Sequence, residues 1–117
     1  MRTTLVVGIG LIVLMALACS SSSTMVANSC GSSGAAANVN ATDSKVFSPS
    51  TATITHGQSV CWQNNGAFSH TVTSNDGTSF SSSLPSGQIF VHTFSTAGSF
   101  PYRCTIHAGM TGTITVN

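Results

Sequence analysis

The chain has 117 residues, and only five of them carry a formal charge: Arg2, Lys45, Arg103, Asp43 and Asp76. So sparse and balanced a set excludes a nucleic-acid surface, which needs clustered Lys and Arg to displace counterions from phosphates. Two carboxylates in all also exclude a glycosidase pair or a carboxylate-built calcium loop, whereas four Cys, four His and four Met keep soft and borderline metal ligands well supplied.

Residues 1 to 18 read as an export leader: one Arg, then an uncharged apolar run over 5–18, long enough for a signal sequence and short for a membrane span. The run closes on Leu14-Met15-Ala16-Leu17-Ala18-Cys19, which contains an Ala-x-Ala cleavage signal. It also resembles a bacterial lipobox, with Ala16 in place of Leu. On the lipoprotein reading, Cys19 is acylated and anchors the chain to a membrane of the periplasm or cell envelope. On the other, a soluble exported protein begins there with a spare thiol. Residues 19 to 38 are mainly Ser, Ala, Gly, Asn and Thr, with too little apolar surface to offset the entropy of ordering, and are expected to form a flexible tether. One domain remains, over 39–117.

From Val39 onward the pattern has period two, with turns every 8–12 residues, the signature of an all-β sandwich or barrel. Strands are expected over 52–54, 60–62, 70–74, 89–94, 100–104 and 111–117, with a brief one at Phe80 and turns at 56–58, 75–77 and 84–87. Alternation sends Val60 and Trp62 to one face and Cys61 to the other. The expected core is Val46, Phe47, Ile54, Val60, Trp62, Val72, Phe90, Phe94, Phe100, Tyr102, Ile114 and Val116. Arg103 falls on the solvent face, and His92 takes an interior slot between Phe90 and Phe94 with no partner in view.

The chemistry concentrates in Cys104-Thr105-Ile106-His107-Ala108-Gly109-Met110, where a thiol, an imidazole and a thioether stand three residues apart as a strand runs into a loop. A turn after Cys104 keeps all three within reach of one ion, and His70, opening another strand, can join them from a neighbouring loop. Two imidazoles, one thiolate and a weak thioether form the ligand set of a blue-copper centre. Zinc has little use for Met, and no carboxylate is at hand as a general base, so an enzyme is not expected.

These residues sit in a longer resemblance. Phe47-Ser48-Pro49, Ile54-Thr55-His56-Gly57, Val60-Cys61-Trp62-Gln63-Asn64, Ser69-His70-Thr71-Val72, Tyr102-Arg103-Cys104 and Met110-Thr111-Gly112-Thr113 resemble, in order, a bacterial cupredoxin of the plastocyanin/amicyanin type. The resemblance implies a Greek-key β-sandwich of seven to eight strands. It further implies one copper ion cycling between Cu(II) and Cu(I), with His70, Cys104 and His107 as equatorial ligands and Met110 as the axial one. It implies that Asn64 ties the ligand loops together and that the Thr71 N–H reaches the Cys104 sulfur. Thr71 departs from the Asn that follows the first ligand in these relatives, and Ile106 and Ala108 stand where Pro is usual.

Ala67, Phe68, Ile106 and Ala108 are expected to form an apolar collar around His107, suited to transient docking of redox proteins by a monomer. The reading is thus a one-electron carrier, with copper storage, delivery or tolerance as the alternative. A metal-free immunoglobulin-like sandwich with a Cys61–Cys104 bridge is a further alternative, although Trp62 beside Cys61 does not fit that pattern. Cys30 and Cys61 are the pair left once Cys19 is lipidated and Cys104 binds copper. Export permits their bridge, and nothing in the sequence fixes Cys30 against the sheet.

Overall fold

The structure, a computed structural model, describes residues 29–117. Four strands, β1 (Ala37–Ala41), β2 (Phe47–Ser48), β4 (Ser59–Gln63) and β7 (Ile89–Thr93), make one sheet in the order β2-β1-β4-β7. Five more, β3 (Thr51–Ile54), β5 (His70–Ser74), β6 (Ser81–Leu84), β8 (Gly98–Arg103) and β9 (Thr111–Val116), make a second sheet in the order β3-β9-β8-β5-β6. The two form a sandwich, as expected, and no helix among the described residues is long and apolar enough to cross a membrane.

Period-two patterning sets which face is buried. In β9, Ile114 and Val116 turn inward while Thr111 and Thr115 face solvent; in β5, His70, Val72 and Ser74 turn inward. Between the sheets Trp62 is fully buried, with the rings of Tyr102, Phe90 and Phe80 5.4, 5.5 and 5.6 Å from its own. Offset and edge-on aromatic pairs of this kind add to the area they bury. Burial pushes the Tyr102 phenol up to about 12, with the Trp62 indole acting the other way.

Three expectations need correction. Val46 is exposed, because it lies in the turn before β2 and alternates with the buried Phe47. Phe90 and Phe100 are half-buried against the core, and Val39, Phe80 and Leu84, not among the expected core residues, are buried within it. The tether ends well before residue 39: Cys30–Ser32 form a 3-10 helix, Cys30 is disulfide-bonded to Cys61, and β1 begins at Ala37. The leader and the first half of the expected tether, Cys19 included, lie outside the described residues.

The cause is mutual. Cys61 faces outward from the sheet, as alternation requires, yet the segment 29–36 folds over it and leaves it no exposure. The Cys30 N–H donates to Gln63 Oε1 at 3.1 Å, the Gln63 amide donates to Asn40 Oδ1, and the Ala36 N–H donates to the Ser59 carbonyl at 2.9 Å. That last bond leads β1 into parallel register with β4, Ala37 opposite Val60 and Asn40 opposite Gln63. With Cys61 bonded to Cys30, Cys104 is a free thiol, and the bridge required by an immunoglobulin-like sandwich is absent.

Candidate metal centre

One end of the sandwich gathers the donors. His70 is the first residue of β5, and Cys104 directly follows β8. The six residues after Cys104 loop back into β9. The Cys104 N–H donates to the Met110 carbonyl at 2.9 Å, the Met110 N–H to the His107 carbonyl at 3.3 Å, and Gly109, at φ 79°, makes the turn.

His70 Nδ1 lies 3.2 Å from His107 Nδ1, and Cys104 Sγ lies 3.7 Å from the same His107 nitrogen. One ligand atom from each of the three residues fits within 4.8 Å of the others. Bonds of about 2.0–2.3 Å from one ion to nitrogen and sulfur set neighbouring donors about 3.2–3.8 Å apart, so the donor set fits a single metal ion. Met110 is buried at 1% exposure in the same apolar cluster as Cys104. His70 is held below the ordinary imidazole range, chiefly by burial and then by His107, while Asp43 and the Thr42 backbone act in the opposite direction. A neutral imidazole is the form that ligates.

A frame of hydrogen bonds holds these donors. Asn64, fully buried, donates from Nδ2 to the carbonyls of Phe68 at 2.7 Å and Leu84 at 2.9 Å, and accepts the Gly66 N–H at 3.0 Å. The Thr71 N–H donates to Cys104 Sγ at 3.4 Å. Its hydroxyl accepts the Thr105 N–H at 2.7 Å and meets the Thr105 hydroxyl at 2.9 Å, so Thr71 clasps the ligand loop. Two members of the frame escaped the sequence reading, Thr105 and Asp43. The Asp43 carboxylate accepts the N–H groups of Ala67 and Phe68, at 2.9 and 3.2 Å, and a Cβ on Gly66 would fall on it. No local pattern joins Asp43 to a loop 24 residues on; only the turn after β1 brings it there.

Around His107 the surface is apolar. Phe68 is 51% exposed and Ile106 56%, Ala67 and Ala108 are exposed, and the Phe68 ring stands edge-on to His107 with centroids 6.5 Å apart. The collar also has charged neighbours of opposite sign, Asp43 under the loop and Lys45 with Nζ 6.0 Å from the Phe68 ring centroid. The remaining imidazoles stand apart from the centre. His56 is exposed and bonds the Asn117 carbonyl, and His92 is half-buried beside Phe80, Phe90 and Phe94.

Residues 34–117 match the family model described as "Copper binding proteins, plastocyanin/azurin family". A plastocyanin from Scenedesmus fuscus is 36% identical over 89 residues, covering 61% of this chain and 86% of the relative. Among solved structures, a purple cupredoxin from Nitrosopumilus maritimus aligns with a TM-score of 0.63 at 26% identity, over 69% of this chain and 99% of that one. A proline-substituted amicyanin in its oxidised state aligns with a TM-score of 0.62 at 27% identity, over 73% and 84%.

Proposed function

The chain belongs to the plastocyanin/azurin family of copper-binding proteins and binds one copper ion, and from that premise we propose that it is an exported one-electron carrier. When bound, copper supplies a one-electron Cu(II)/Cu(I) couple. His70, Cys104 and His107 would hold the ion, with Met110 buried beside them as the fourth donor. The observation that carries this reading is the convergence of two imidazoles and a free thiol within 4.8 Å, with no carboxylate among them.

Each residue has a separate task. Cys104, buried at 3% exposure, supplies a thiolate shielded from solvent, and the Thr71 N–H bears on its sulfur. His70 is closed off inside the protein, while His107 is half-exposed and forms the edge through which an electron enters and leaves. Ala67, Phe68, Ile106 and Ala108 dry the contact with a redox protein, and the few charges leave that contact brief. Neither transfer step changes a substrate, so on this reading the chain is a carrier and not an enzyme. Copper storage or delivery is the less favoured reading, since buried Cys104 and Met110 suit retention better than hand-over. On this reading the leader exports the carrier to the periplasm or cell envelope, and a lipid on Cys19 would hold it to a membrane.

The test is the optical spectrum of the chain after one equivalent of Cu(II), with Cys104→Ser beside it. An intense visible thiolate-to-copper band, lost in the variant, is expected. A colourless protein that leaves the Cys104 thiol unaltered would sink the reading.

A further inference from the structure

The sandwich leaves four strand edges open, β2 and β7 in one sheet and β3 and β6 in the other. Open edges invite pairing, and proteins guard them with charges, proline, bulges or shortness. Two of the four are guarded: β2 has only two residues and is flanked by Lys45 and Pro49, and β6 is short and stops at Pro85, while β3 is a four-residue strand.

β7 has no such guard. Its outward residues are Ile89, Val91 and Thr93, all β-branched, and Val91 is 40% exposed. No charged residue, glycine or proline lies within the strand. Its backbone shows which groups are free. The Asn64 N–H donates to the Gln88 carbonyl and the Phe94 N–H to the Gln58 carbonyl, so the even-numbered residues of β7 carry the ladder to β4. By antiparallel alternation Ile89, Val91 and Thr93 turn their N–H and C=O groups to the open side.

We infer that β7 is a self-association edge, which pairs antiparallel with β7 of a second copy of this chain about a two-fold axis at Val91. A row of alternating donors and acceptors is complemented by another extended strand. The β7 row is its own complement: Ile89 falls opposite Thr93 of the second copy, and Val91 opposite Val91, giving three β-branched pairs. The same register brings Gln88 and Gly87 of the second copy beside Phe94 and Ser95, which line a hollow of about 250 Å³ next to Thr93. With as many positive as negative charges outside the leader and none on β7, no repulsion opposes the approach. β7 starts at the copper end and finishes at the other, as Gln88 pairs with Asn64. Antiparallel pairing therefore sets the two copper ends far apart and leaves both His107 collars open. The monomer is the electron-carrying unit in dilute solution, and β7 joins two of them when they are crowded.

The experiment is sedimentation equilibrium of the copper-loaded chain up to about 1 mM, near −4.1 kcal/mol of association free energy, with Val91→Pro and Val91→Lys beside it. Proline at 91 removes an N–H that β4 does not use, and lysine adds a charge at an exposed place. The parent is expected to dimerise within that range with little effect of salt, and both variants to bind at least about tenfold more weakly while keeping the copper spectrum. Amide exchange at Ile89, Val91 and Thr93 is expected to slow as concentration rises. A parent that stays monomeric throughout, or a dimer that survives either variant, overturns the inference.

Discussion

Thr71 touches the centre in two ways: its N–H points at the Cys104 sulfur, and its hydroxyl holds Thr105, the first residue of the ligand loop. Thr71→Val keeps the shape and the N–H and removes only the clasp. The expected result is a loss of about 1 kcal/mol in stability and faster copper loss to a chelator, with Thr71→Ser restoring both; unchanged release would make the clasp irrelevant. His92 gives a prediction of another kind. Burial among Phe80, Phe90 and Phe94 holds it below the ordinary 6.5, and no charged side chain lies on β7 to offset this. The unfolded chain takes up the His92 proton near pH 6.5 while the folded chain resists it. This group's contribution is therefore whole above 6.5, falls as pH drops toward the lowered folded value, and changes no further below it. Denaturant unfolding at several pH values should show a shallower acid loss for His92→Phe than for the parent, and equal slopes would contradict the assignment.

At the scale of elements, the strap over β4 is the feature with the largest energetic consequence. Cys30 and Cys61 are 31 residues apart, so their bond removes about 3–4 kcal/mol of loop-closure freedom from the unfolded chain. A Cys30→Ala/Cys61→Ala double variant should unfold at correspondingly lower denaturant, with amide exchange rising first over 29–41; a loss under about 1 kcal/mol would mean the strap holds without its bond. This element was also the hardest to read. Ala37-Asn38-Val39-Asn40-Ala41 has the composition of a linker, and only its parallel pairing with β4 makes it a strand. Ser81–Leu84 likewise has three serines and a strand geometry imposed by β5. By contrast β5, β7, β8 and β9 were legible within a residue or two, because β-branched and aromatic residues alternate there between clear turns. The grouping of Cys104 and His107 was legible too, since sequence spacing limits how far apart ligands on one loop can lie, whereas His70, on β5, was legible through the family resemblance. Asp43 and Thr105 were not, because their contacts cross from one loop to another.

For the whole molecule, the scarcity of charge is the property that governs encounters. Outside the leader there are two positive and two negative groups, Lys45, Arg103, Asp43 and Asp76, and Arg103 is tied up with Asn75 Oδ1 at 3.2 Å. Asp43 and Lys45 flank the His107 collar with opposite signs, so the collar presents no net charge to a second copy. Charge-steered redox pairs lose much of their association rate as salt shortens the Debye length from about 30 Å at 0.01 M to about 8 Å at 0.15 M. On the proposed reading the exposed Phe68 and Ile106 do the docking, and apolar contact is indifferent to that change. Electron self-exchange between oxidised and reduced copies, followed by NMR line broadening, should vary by less than about twofold over this range. Phe68→Asp supplies the contrast. It sets a negative charge beside His107 on each copy, so self-exchange should slow most at low salt and recover as salt is added. A parent with steep salt dependence would require a charged contact elsewhere, and a Phe68→Asp protein with none would move the electron's exit away from His107.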